Sequence, residues 1–283
     1  MGEQNEIVVG AINVVATPHP SGVYVRILQK AADHEIRIWG RDYAKITRPE
    51  ARKNDDNIYC GRILVWTEIT KDGPWLDKKK NDEASEEEKK KIQIPPQLEP
   101  NFRSFNYALN VSKHKIIIEY ENDFRERFGP TRAEKLFSRL FSTEILGADA
   151  PDVTVTVIPE EGLIERILGI PKLRRLEIYI ERPNPDDLGD DAAQILGNLK
   201  DQGAKSQEII YAKAPSIKSL KPSRETRTIA NVAAQNGYVV GKGKDKHGNP
   251  IEESTKDHPK RVRLTLQKGQ SALAKFLSSI SLF

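Results

Sequence analysis

One stretch restricts the fold more than any other: residues 153–187, VTVTVIPEEGLIERILGIPKLRRLEIYIERPNPDD. Val153, Val155 and Val157 alternate with Thr154, Thr156 and Ile158, the period of a half-buried strand. Leu163, Ile164, Ile167 and Leu168 then recur at helical spacing until Gly169 and Pro171 stop the helix. Leu176, Ile178 and Ile180 alternate with Glu177, Tyr179 and Glu181 in a second strand, and Pro183, Pro185 and four aspartates end it. Strand, helix and strand in succession require sheets covered by helices, which points to an α+β chain.

The surrounding sequence fits that class. With 283 residues, the chain has length for one large domain or two of ~100–200 residues each. Hydrophobic residues at 37% beside 30% charged ones suffice for a core and exclude disorder of the whole chain. The single Cys60 excludes an internal disulfide and a cysteine metal cluster, and its apolar strand setting reads as an inert buried thiol. Glu3 and Glu6 occupy the place where a signal peptide carries basic residues, and no run reaches the ~18 apolar residues of a membrane helix. The expectation is a cytoplasmic protein without membrane contact.

Taken in order, residues 1–70 read as a β-α-β-β lobe. Its parts are an apolar strand over 7–16, a helix capped by Ser21, and strands over 35–39 and 58–69. Residues 71–101, dominated by charge and closed by Pro95, Pro96 and Pro100, read as an insertion or linker. Residues 102–283 read as a second αβ lobe with a basic hairpin at 238–266. Within it, 102–181 has a ferredoxin-like β-β-α-β-α-β order: a hairpin over 102–120, a helix over 132–143 opened by a Thr131/Glu134 capping box, and the segment of the first paragraph. A helix over 192–202, a strand over 207–212, a helix capped by Ser223 and an apolar tail over 272–283 complete it. The predicted fold is therefore α+β: two mixed αβ lobes with largely antiparallel sheets and helices packed on one face.

Candidate chemistry is concentrated in two places. Residues 218–268 hold 12 Lys/Arg against 5 acids, a net +7 in a chain of +4, which leaves −3 elsewhere. A glycine- and lysine-rich tip, GKGKDKHG, can lay cations along phosphates while its glycines let backbone amides approach. The expected nucleic-acid-binding residues are Lys242, Lys244, Lys246, His247, Lys256, Lys260, Arg261 and Arg263, with Tyr238 or His247 for stacking. Lysines on a hairpin also keep an edge strand soluble. The second place is acidic. Glu177, Asp186 and Asp187, near Glu181, Asp190 and Asp191, could hold Mg²⁺ for a nuclease, although carboxylates at that point also cap the following helix. The five histidines show no ligand spacing, and neither a P-loop, a dinucleotide fingerprint nor a nucleophile elbow is present. No cofactor is expected outside the Mg²⁺ of the nuclease reading.

Three regions carry a resemblance: AINVVATPHPSGVY (11–24), IPKLRRLEIYIERPNPDD (170–187), and IANVAAQNGYVVGKGKD (229–245) with ESTKDHPKRV (253–262). They resemble a bacterial family described as domain of unknown function 4747, over residues 7–265. The resemblance brings no active site. It implies a bacterial setting beside mobile elements and phage-defence genes, and makes the three regions candidates for one shared surface. The leading expectation is a non-enzymatic nucleic-acid-binding component of anti-phage defence, contacting DNA or RNA. The alternatives are a metal-dependent nuclease and an interaction or sensor module that recognises a phage or host protein. Self-association through the apolar tail 272–283 is a further expectation.

Overall fold

The computed structural model describes residues 5–53, 55–70, 73–184 and 190–283. Its organising element is β1 (Glu6–Thr17), in which every residue from Ile7 to Ala16 is buried. Such a run needs cover on both faces and pairing on both edges, and β1 has all four. On one edge it pairs antiparallel with β9 (Lys115–Glu121). The other edge is divided between β15 (Val262–Thr265), which pairs with Glu6–Val9, and β10 (Asp152–Val157), which pairs with residues 12–17.

The sheet continues through β8 (Arg103–Asn110), β5 (Asp55–Thr67), β3 (Asp42–Ile46) and β2 (Ile36–Trp39), with β4 (Glu50–Arg52) also on β5. On one face, α1 (Val23–Ala31), α3 (Pro130–Leu140) and α4 (Thr143–Leu146) pack over Val8, Ile12, Val14 and Ala16 of β1. On the opposite face, Ile7, Val9 and Ala11 meet α8 (Ala272–Ser279). The side-chain alternation of β1 thus builds two cores. Helices cover both faces of this sheet, where cover on one face was expected.

A second sheet has the order β12 (Ser206–Ala212), β11 (Lys172–Glu181), β13 (Gly237–Lys244), β14 (Pro250–Ser254), all antiparallel. Leu176, Ile178, Ile180 and Val239 face α5 (Leu163–Leu168), α6 (Asp190–Asp201) and α7 (Arg224–Gln235). Here the helices do lie on one face. Ser223 caps α7 as expected, its hydroxyl accepting from Thr226 N at 3.1 Å.

The α+β class and antiparallel sheets stand, but the division into lobes differs. Strands from 1–70 and from 102–157 share one sheet. Residues 73–101, with the small ladder of β6 (Leu76–Asp77) and β7 (Asp82–Glu83) and the helix α2 (Glu86–Lys89), form an excursion between its neighbouring strands β5 and β8. The β-β-α-β-α-β order exists along the chain, yet β10 and β11 lie in different sheets, so it does not form one ferredoxin-like layer. Alternation marks a strand and its buried side but not its partner. Residues 163–254 are instead an insertion whose two ends meet on β1. At the crossing, Pro159 bridges Pro259, Lys260 N donates to Ile158 O at 2.8 Å and Glu160 N donates to His258 O at 2.9 Å.

The tail is part of the core: Phe276, Ile280 and Phe283 are buried among Ile7, Val9, Ile58 and Ile117. Leu273 and Leu282 of the same tail remain exposed. Phe276→Ala should cost about 3–5 kcal/mol, read as a shift of the urea midpoint; an unchanged midpoint would place the tail outside the core.

A buried carboxyl adds a pH dependence. Glu119 on β9 is 1% exposed and accepts from Asn106 N at 2.9 Å and Asn106 Nδ2 at 2.8 Å. Burial outweighs these bonds and pushes its pKa up to about 7. Between its ordinary 4.5 and about 7 the folded chain holds a proton that the unfolded chain releases, so stability falls as pH rises through that window. Glu119→Gln should flatten this decline by roughly 2–4 kcal/mol when urea unfolding is followed from mildly acidic to mildly basic pH.

Candidate functional site

The three regions singled out in the sequence converge where the two sheets meet. Asn13, on β1, donates from Nδ2 to Gln235 O at 3.0 Å and to Asn236 Oδ1 at 3.1 Å, at the end of α7. Asn184, fully buried beyond β11, donates to Val14 O at 2.9 Å and accepts from the Tyr24 hydroxyl at 2.7 Å. Glu181 N donates to Asn236 O at 2.7 Å. His19 packs here against Tyr24 with its ring tilted and against His114 edge-on, ring centroids 5.2 and 4.9 Å away. His258 belongs to the crossing instead, its Nε2 2.9 Å from Glu253, a carboxylate that Arg166 shares.

One feature of this junction opens to solvent. The face of β11 and β13 turned away from the helices carries Arg175, Glu177 and Tyr179 opposite Lys242, Val240 and Tyr238, with Glu181 next along β11. Tyr179 and Tyr238 are direct cross-strand partners, stacked at 5.1 Å with rings 17° apart. Lys256 extends the stack, its Nζ 3.8 Å from the Tyr238 ring centre. The Tyr179 hydroxyl donates to Glu181 Oε1 at 2.9 Å, and Glu181 also accepts from Thr154 of β10. These groups, with Thr156 and Glu134, line a cleft of about 150 Å³. Burial raises the Glu134 carboxyl above its ordinary range, while Lys256 pulls it down. Glu134 was expected to cap α3 with Thr131. Instead Gly129 is the cap and Pro130 the first helical residue, so both expected cap residues lie within the helix.

The basic hairpin is rearranged. Its strands are β13 and β14, whereas 262–265 leaves for the large sheet. Lys242 and Lys244 face outward, opposite Arg175 and Lys172, and cations facing one another across strands oppose the pairing. The glycines between them serve the fold. A Cβ on Gly241 would lie 2.7 Å from Ile167 Cγ2, and one on Gly243 would lie 2.4 Å from Lys172 O. They admit α5 and the neighbouring backbone rather than a phosphate. Lys246 and His247 are exposed at the tip, where the Asp245 carboxylate accepts from Asn249 N at 2.8 Å and is held below its usual range, mainly by the Asn249 side chain.

Several expected contacts are already engaged. Lys242 lies 3.0 Å from Glu252 and 4.0 Å from Glu177. Lys260 donates to Glu161 at 2.8 Å and to Leu282 O at 3.1 Å. Arg263 reaches Glu6 at 3.3 Å. Arg261 and Arg263 belong to the large sheet's side of the molecule, so the eight residues do not form one surface. The nuclease candidates are not assembled either. Glu177 is held by Arg175 at 2.6 Å, Asp186 and Asp187 lie outside the described residues, and no group of three His, Cys, Asp or Glu among the described residues could hold a metal ion. Sequence reasoning missed Tyr179, Lys172 and Glu134. Outward alternation in EIYIER and GYVVG was a signal for the tyrosine pair, but its register was not readable.

Asn13→Ala removes the donor to two acceptors between the sheets and should destabilise by about 1–3 kcal/mol in chemical unfolding. A loss under about 0.5 kcal/mol would mean the junction is held by other contacts.

The family model described as a domain of unknown function (DUF4747) matches residues 5–281. No curated protein matches the chain.

Proposed function

The chain belongs to that family, whose description states no activity, and on the geometry of its own residues we propose that it is a nucleic-acid-binding protein without catalytic chemistry. The interface is the helix-free face of the four-stranded sheet. The observation that carries this reading is the opposed pair of cations Lys172 and Lys244, neither in an ion pair among the described residues, on the strand face that also carries the Tyr179–Tyr238–Lys256 stack. Like charges set opposite one another repel until a polyanion lies between them. A strand that draws Lys256 off the Tyr238 ring onto a phosphate opens an aromatic face on which an unpaired base stacks without regard to sequence. A single strand of DNA or RNA fits both requirements, with phosphates over Lys172, Lys244 and Lys246 and bases toward the tyrosines. A role in bacterial anti-phage defence rests on the family resemblance alone and forms the cellular half of the proposal.

The metal-dependent nuclease has less support, because Glu177 is neutralised by Arg175 and Lys242. Recognition of a phage or host protein has no comparable surface to favour it.

The test is fluorescence anisotropy with a single-stranded oligonucleotide. Lys244→Glu with Lys246→Glu should weaken binding at least tenfold and flatten the salt dependence by about 0.7 per lost phosphate contact. Tyr238→Ala should cost about 1–3 kcal/mol of affinity. Lys242→Glu should cost less, since Glu252 already engages that lysine. Binding undiminished in both the lysine and the tyrosine variants would overturn the reading.

A further inference from the structure

A second cavity, about 290 Å³, lies at the start of α3 and is lined by Val8, Tyr120, Glu121, Arg127, Gly129, Pro130, Arg261 and Arg263. Four features of its wall favour one kind of ligand. The first is charge. Register places Arg263 opposite Val8, hence on the helix-covered side of β1, and Arg261 precedes it on the same side. Arg127 is answered by Glu121 at 2.9 Å and Arg263 by Glu6 at 3.3 Å, whereas Arg261 forms no ion pair among the described residues. The carboxylate on the wall is therefore already neutralised, and a guanidinium is left over.

The second feature is the helix end. α3 has eleven residues and enters at Gly129 and Pro130 without a side-chain cap. Pro130 has no N–H, and neither Thr131 nor Arg132 donates a backbone bond to the preceding chain. These orphan amides and the helix dipole favour an anion. The third is Tyr120. Its ring fills the space over Gly10, where a Cβ would come within 1.9 Å of Cε2, and only 3% of the residue is exposed. Its hydroxyl is buried and bonds to no protein group. A buried hydroxyl without a partner is costly, and Tyr120 lines this cavity with the Arg261 guanidinium and the Glu134 carboxyl both close to its phenol. The fourth is the number of donors. One uncommitted guanidinium fork and a phenol on the wall, with the uncapped start of α3 beside them, suit an anion rich in acceptors such as a tetrahedral dianion.

We propose that this cavity is a phosphoryl-binding site in which Arg261 grips the anion, the Tyr120 hydroxyl donates to it, and the first turn of α3 receives its charge. The site stands independently of the sheet interface. Arg261, which the sequence grouped with the hairpin lysines, thereby acquires a different role from theirs. The phosphoryl group has two possible sources, a free phosphate or nucleotide and the phosphorylated end of a nucleic-acid strand. The cavity is roomier than a bare oxyanion needs and admits either.

Isothermal titration of the full chain at constant ionic strength, with inorganic phosphate and with a nucleoside 5′-monophosphate, tests the site. Saturable binding is expected, weakened at least tenfold by Arg261→Ala and severalfold by Tyr120→Phe. The Phe variant keeps the ring on Gly10, so its unliganded melting temperature should be equal or higher. A lower melting temperature with unchanged phosphate affinity would assign the hydroxyl to the fold and overturn the proposal. So would absence of saturable binding, or equal affinity in Arg261→Ala. Lys244→Glu should leave phosphate affinity unchanged, which separates failure here from failure of the sheet interface. Oligonucleotides with a 5′-phosphate or a 5′-hydroxyl distinguish the sources: an Arg261-dependent preference for the phosphorylated strand identifies the end of a chain, and equal binding identifies a free phosphate or nucleotide.

Discussion

Everything in this molecule depends on pairing both edges of β1. A strand buried from Ile7 to Ala16 cannot leave backbone donors and acceptors facing an apolar core, because an unpaired buried amide costs as much as several favourable contacts return. One edge is filled by β9. The other is filled by two strands, β15 and β10, that bracket residues 158–261 in the chain. The four-stranded unit exists as an insertion because its two connections must start and finish on this one edge. The hydrogen bonds of Asn13, Asn184 and Glu181 then tie it down at the seam.

Much of the local structure could be read from residue order. The hairpin at 102–120, the strand at 172–181 and the helix capped by Ser223 follow from alternation, apolar stripes and capping chemistry, which act over a few residues. Pairing between distant strands could not be read that way. Val153–Val157 and Leu176–Ile180 look like partners across a helix, yet one completes β1 and the other centres a separate sheet. Each strand's buried face was legible; which buried face it would meet was not. The short strands β3 and β4 escaped notice for a related reason, since DYAKI and EAR carry too few apolar positions to announce a strand.

The candidate surface shows the same limit. A cluster of cations along the chain suggested one basic face, but the fold distributes it over two sheets and neutralises part of it. Lys242, Lys260 and Arg263 each meet a carboxylate, while Lys244, Lys246 and Arg261 meet none among the described residues. Charge density in sequence measures supply, and geometry decides how much remains uncompensated. The alternation Gly241-Lys242-Gly243-Lys244 is one residue pattern serving two needs: glycines turned inward to admit α5, lysines turned outward to solvent. Its glycines suggested a phosphate cradle, and their role is steric.

The split edge of β1 also orders events during synthesis. Thr265 bonds to Glu6 across 259 positions of sequence, so the amino-terminal half of that edge waits until nearly the whole chain has emerged from the ribosome. Until then the most apolar strand of the protein presents open backbone groups beside Ile7 and Val9. A nascent chain in that condition is a template for strand addition by a neighbour. Translation speed past residue 157 and the presence of a holding chaperone therefore bear on the yield of folded protein, as does the stability of the finished fold.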